Sequence, residues 1–117
     1  MWEIIYYETE NGNCPVYEFI NDLPVKMRAK AFKELELLES LGIQIKMPYS
    51  RPLQDGLHEL RIQAGNDISR IFYFFYIGRR IILTNGFVKK TQTTPRREID
   101  KALKYKADYE RRFTDET

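Results

Sequence analysis

Leu57-His58-Glu59-Leu60-Arg61, the dipeptide Gly65-Asn66 and the run Ser69-Arg70-Ile71-Phe72-Tyr73-Phe74-Phe75-Tyr76 follow one another closely in the chain. A second turn leads into a third apolar run, which opens at Ile81 and closes on Gly86-Phe87-Val88-Lys89-Lys90. Aromatic and β-branched residues between glycine-bearing turns predict a three-strand antiparallel meander over residues 57–90. Gly65-Asn66 is a tight-turn pair, and closing the hairpin there pairs Ala64 with Asp67, Gln63 with Ile68 and Arg61 with Arg70. Two arginines then face one another on one side of the sheet, which costs roughly 0.2–1 kcal/mol. An anion between them relieves that cost, and so does a neighbouring carboxylate. Glu59 lies on the same face, so a Glu59–Arg70 ion pair without function is the plain reading. An anion site is the stronger one, because charged residues seldom serve packing inside apolar strands.

Alternation assigns Leu60, Ile62, Ile71, Tyr73 and Phe75 to a core face. It assigns Glu59, Arg61, Arg70, Phe72, Phe74 and Tyr76 to the opposite one. A two-residue turn at Gly78 adds Leu83, Asn85, Phe87 and Lys89 to the arginine side, whereas a three-residue turn reverses that strand. Fixed cations beside aromatics suit RNA, with the arginines on phosphate and Phe72 or Phe87 stacked on a base. The competing reading puts these rings under a helix. His58 falls on the core face opposite Tyr73, where a lone histidine is more often structural than catalytic.

Outward from the meander, residues 2–7 read as a strand rich in aromatic and β-branched residues. Pro15 opens a short helix to about Asn21. Pro24 opens a longer one that runs to Leu41 and stops at Gly42. Val25, Ala29, Phe32, Leu35 and Leu38 form its expected buried stripe, with Lys26, Lys30, Lys33, Glu34 and Glu36 toward solvent. Residues 43–56 read as a linker whose Lys46, Arg51 and Gln54 come within reach of a ligand. Thr94 and Pro95 are the expected N-cap and first residue of a last helix, with Ala102, Tyr105, Tyr109 and Phe113 as its stripe. Arg96 and Arg97 fall in its first turn, where positive charge opposes the helix dipole. An anion nearby would explain that placement. The order is strand, helix, helix, three-strand meander, helix, which is an α+β domain spanning residues 1–117.

The composition, 43% hydrophobic and 31% charged among 117 residues, excludes a disordered chain and fits one small domain. No apolar run is long enough to span a bilayer, and Met1-Trp2-Glu3 leads straight into a strand with no signal peptide. A cytoplasmic location is the resulting expectation. A single cysteine, Cys14, excludes an intramolecular disulfide and stands beside no metal-ligand partner, so neither metal nor cofactor is expected. Residues 1–60 hold 6 Lys/Arg against 10 Asp/Glu, and residues 61–117 hold 13 against 7. The half with the meander and last helix is thus the basic one, as expected of a surface that meets a polyanion.

The chain resembles the RelE/ParE superfamily of toxin components of type II toxin–antitoxin systems, in its HigB-like, phage-associated branch. The resemblance covers nearly the whole chain. It rests on Leu57-His58-Glu59-Leu60-Arg61, Ser69-Arg70-Ile71-Phe72-Tyr73-Phe74, Gly86-Phe87-Val88-Lys89-Lys90-Thr91 and Thr94-Pro95, in that order and spacing. It implies a RelE-like two-layer fold and a ribosome-dependent endoribonuclease, an mRNA interferase that cuts mRNA in the ribosomal A site. It also implies silencing by a cognate antitoxin, expected to be a helix-turn-helix protein. Family members use cationic side chains and no metal. The resemblance makes Arg70 the phosphate clamp, Arg61 a second cation and Lys90 the basic residue after the last strand, with Lys89 beside it. Relatives often carry a tyrosine or histidine near the start of the last helix, and residues 91–100 hold neither. That leaves Glu59 as a base and Lys90 as an acid if its pKa is lowered. The expected site is therefore Glu59, Arg61, Arg70 and Lys90 for chemistry, with Lys89, Phe72, Phe87, Arg96 and Arg97 for RNA. Two alternatives share the fold: a ParE-like DNA gyrase inhibitor, and a phage-derived binding module without catalysis.

Overall fold

The computed structural model describes residues 1–90 and 93–114. Thr91, part of the pattern that follows the last strand, lies outside them. The elements run β1 (Glu3–Tyr6), α1 (Pro15–Asn21), α2 (Val25–Leu41), β2 (Ser50–Pro52), β3 (His58–Ala64), β4 (Asp67–Tyr76), β5 (Arg80–Lys89) and α3 (Arg96–Arg112). The sheet has the order β1-β5-β4-β3-β2, with β1 parallel to β5 and the other pairs antiparallel. The α+β class and the expected meander are both present. Among the described residues no helix is long and apolar enough to cross a membrane.

The first hairpin has the register its turn dipeptide dictates. Ala64 pairs with Asp67 and Arg61 stands opposite Arg70. The second turn differs. Tyr76 pairs with Arg80, so the loop is Ile77-Gly78-Arg79, three residues and not two. Gly78 and Arg79 both have positive φ, the left-handed backbone that closes so short a connection. The odd loop length reverses the start of β5, so Leu83 pairs with Tyr73 and enters the core, contrary to its expected place among the arginines. A bulge between Ile71 and Tyr73 then restores the parity. Beyond it Gly86 faces Ile71, Phe87 faces Arg70 and Lys89 faces Ile68. Phe87 and Lys89 thus reach the arginine face by two compensating irregularities.

Residues 50–52, expected within a linker, form the edge strand β2 against β3. Nothing local marks a three-residue strand, and pairing to β3 with a buried Ser50–Tyr73 hydroxyl contact of 2.5 Å makes it one. The stripe of α2 is also rotated from expectation. Met27, Ala31, Leu35 and Leu38 are buried, while Val25, Ala29 and Phe32 are exposed. Both stripes share Leu35 and Leu38 at helical spacing, and only packing onto β3 selects between them. Glu34, expected in solvent, is 6% exposed.

Helices lie on both faces of the sheet. Val16 and Ile20 of α1 and the stripe of α2 pack with Leu60, Ile62, Ile71, Tyr73, Ile81 and Leu83. On the other face Ala102 of α3 meets Leu57, Phe72 and Phe87, and Tyr109 meets Tyr7, Phe74 and Ile82. The aromatics of the arginine face are therefore covered by a helix. Among the described residues, the end of that face carrying Arg61 and Arg70 lies clear of these apolar clusters.

Candidate functional site

A carboxylate with no contact to solvent organises the open end of the sheet. Glu59, on β3, is 0% exposed. A charge so placed is tolerated only with partners, and three surround it. Arg51 Nε of β2 donates to Oε1 at 3.2 Å. The Thr94 hydroxyl, just before α3, donates to Oε2 at 2.5 Å and accepts from Arg51 Nη2 at 3.2 Å. Arg70 Nε of β4 lies 3.2 Å from Oε1 but lacks hydrogen-bond alignment, so this buried donor has no hydrogen-bond partner among the described residues. Arg70 itself is 8% exposed.

Arg61 stands opposite Arg70 at the mouth of the same group. A cleft of about 160 Å³ opens there, lined by Met47, Pro48, Ser50, Arg51, Glu59, Arg61 and Arg70. Three guanidinium groups and one carboxylate share its wall, so the wall carries net positive charge. Arg70 feels both its burial and its charged neighbours. Burial lowers its pKa from the usual arginine range, Glu59 opposes that, and Arg61 and Arg51 lower it further. Lys89, at the end of β5, belongs to the same field. Burial lowers its pKa from 10.5, then Arg70 does, with Glu59 opposing and Arg51 and Arg61 adding to the depression. One carboxylate among four cations leaves an excess that an anion can neutralise.

The structure thus brings together Glu59, Arg61, Arg70 and Lys89 of the residues expected from sequence. It adds Arg51 and Thr94. Arg51 was legible only as a cation in a linker, and Thr94 as an N-cap; its hydroxyl serves Glu59, and Pro95 occupies the cap position of α3. Lys90 is exposed just past β5. Phe72 is 0% and Phe87 7% exposed, and the two rings stack on each other at 5.4 Å between centroids. Neither offers a free face to a base. Arg96 bonds Gln54 and pairs with Asp100, and Arg97 pairs with Glu98, so the first turn of α3 brings its own carboxylates to its arginines. His58 lies stacked on Tyr73 and edge-on to Phe75, and burial lowers its pKa. It is a half-buried residue on the core face of the sheet.

The sequence pattern of the family described as "Phage derived protein Gp49-like (DUF891)" matches residues 18–107, which include every residue of this cluster. The chain belongs to that family. Gp49-like proteins are a phage-derived, RelE-like, toxin-like family. No curated protein matches the chain. The matched span of this Gp49-like chain begins inside α1 and ends inside α3, so it takes in all of α2, strands β2 to β5 and parts of the other two helices.

Proposed function

We propose that this Gp49-like chain is the toxin component of a toxin–antitoxin system and acts as a ribosome-dependent mRNA endoribonuclease. The observation that carries the reading is the cationic cleft, where a buried Arg70 N–H with no hydrogen-bond partner among the described residues stands beside Arg61 and Arg51. Attack of a ribose 2′-hydroxyl on the adjacent phosphodiester, with its proton passing to solvent water and the bond from phosphorus to the 5′-oxygen breaking, builds negative charge on the phosphoryl oxygens. Arg61 and Arg70, fixed on paired strands, stabilise that charge without reorganising, a contribution of about 2.7–4 kcal/mol for one donor in comparable sites.

Both oxygens of Glu59 already accept or face donors. Its part in this reading is to hold the arginines, not to remove the 2′-hydroxyl proton. Lys89, with its lowered pKa, is a better-placed acid for the departing 5′-oxygen than the exposed Lys90. The partner that silences the chain is an antitoxin, taken from the helix-turn-helix class the resemblance implies.

Induced expression in bacteria with mapping of transcript 5′ ends tests the reading. New 5′ ends inside translated messages are the expected result, and their absence from an Arg70→Ala strain ties them to the cleft. Growth arrest with gyrase-linked DNA breaks and no new transcript ends would overturn it in favour of the ParE-like alternative.

A further inference from the structure

The arginine cleft continues into a second one. Pro48 and Arg61 line both, and the second cleft, of about 330 Å³, is completed by Lys30, Glu34, Tyr49, Gln63 and Gly65. Tyr49 is 43% exposed, in contrast to the buried rings of the sheet face. Its backbone is tied to the site, since the Arg61 N–H donates to the Tyr49 carbonyl at 2.8 Å. Lys30 comes from α2 and is the first cation along the path away from Arg61. Farther along α2 the groove is lined by Lys30 and Lys33 but also by Glu34 and Glu36, so its positive character fades there.

We propose that this second cleft is a binding track for single-stranded RNA flanking the cut, with Tyr49 stacking one base and Lys30 contacting one phosphate. The proposal rests on the ribonuclease reading and adds to it a place for the strand outside the reacting phosphodiester. An exposed ring beside a cation is the arrangement that binds unpaired bases without requiring a given sequence. Phe72 and Phe87 are closed to such a role, which makes Tyr49 the accessible ring that lies on the cleft. Glu34 is 6% exposed and sits at the wall, so it faces a bound strand less than Lys30 does.

The test is binding of 2′-O-methylated RNA, which lacks the attacking hydroxyl, to the purified chain by fluorescence anisotropy. A trinucleotide reports the arginine cleft, and a longer single-stranded oligonucleotide reports the cleft and track together. The wild type should bind the longer RNA more tightly than the trinucleotide. Tyr49→Ala should weaken the longer RNA about tenfold and leave the trinucleotide unchanged, with Tyr49→Phe restoring wild-type affinity. Lys30→Ala should lower the slope of log affinity against log salt by about 0.7 for the longer RNA alone. Circular dichroism establishes that each variant is folded. If folded variants keep the full gain from length while Arg70→Ala abolishes trinucleotide binding, the track is refuted and the ribonuclease reading survives. If the wild type binds the longer RNA no more tightly than the trinucleotide, or binds neither, the track falls, while the ribonuclease reading is decided separately by the transcript 5′ ends.

Discussion

Arg70 is the residue on which most of the site converges. Its guanidinium is buried beside a fully buried carboxylate, and its Nε–H is left without a hydrogen bond among the described residues. Arg51 and Thr94 still engage Glu59 when Arg70 is removed, so Arg70→Ala keeps a partnered carboxylate and a folded chain. Loss of one preorganised donor lowers cleavage by about 10²–10³-fold. Growth of induced strains and circular dichroism of both proteins check the two halves of that expectation; a folded, fully toxic variant removes Arg70 from the chemistry.

Lys89 carries a pH prediction. As an acid it must be protonated, so cleavage is constant at low pH and falls as pH rises through a pKa that lies below 10.5. Lys89→Arg should push that limb to higher pH. Glu59 opposes the depression, so Glu59→Gln should move the limb lower still. Rate–pH profiles of the purified variants decide this, and a limb unmoved by Lys89→Arg assigns the acid elsewhere. At this scale the sequence exposed Arg61, Arg70 and Glu59 as charges out of place in apolar strands. It could not reveal Thr94, since a hydroxyl before a helix looks the same whether it caps the helix or holds a carboxylate.

Among the elements, β5 shows how placement can be read correctly for an incomplete reason. Phe87 and Lys89 stand on the arginine face only because a three-residue loop and a bulge cancel. The bulge lies next to Gly86, where a Cβ would come within 2.4 Å of the Phe19 ring and 2.9 Å of the Arg70 carbonyl. Gly86→Ala therefore forces α1 away from β5 or shifts the backbone of Arg70. It should destabilise the chain by about 1–3 kcal/mol and reduce cleavage along with stability. Urea denaturation beside an activity assay at low denaturant measures both. Unchanged stability would show that the Phe19 ring moves aside at little cost. The starts of the three helices were legible from Pro15, Pro24 and Pro95, and the end of α2 from Gly42. The rotation of α2 was not, because its surface offers two apolar stripes and only contact with β3 decides which is buried.

For the molecule as a whole, α3 divides the arginine face in two. Its aromatic part is closed by Ala102 and Tyr109, and its cationic part is left open beside Thr94. A silencing partner need not cover those rings. An antitoxin segment with carboxylates that enter the arginine cleft is the expected mode, and the excess positive charge of residues 61–117 favours it. Hydrogen exchange on the co-purified complex should protect residues 59–63, 69–70 and 87–89. Protection confined to residues 25–41 would mean that silencing works from α2 and leaves the cleft open.

The sequence by itself determined the α+β class, the hairpin register and the pairing of Arg61 with Arg70, because turn chemistry and two-residue alternation act between neighbours in the chain. It also determined that a carboxylate shares the arginines' face. The tertiary structure alone decided which of these charges meet, which aromatics are sealed and which ring remains open. Those outcomes depend on β2 pairing with β3, on the bulge in β5 and on where α3 begins to cover the sheet. Each is a contact between segments far apart in the chain, chosen by packing of the whole core, and no local pattern encodes it.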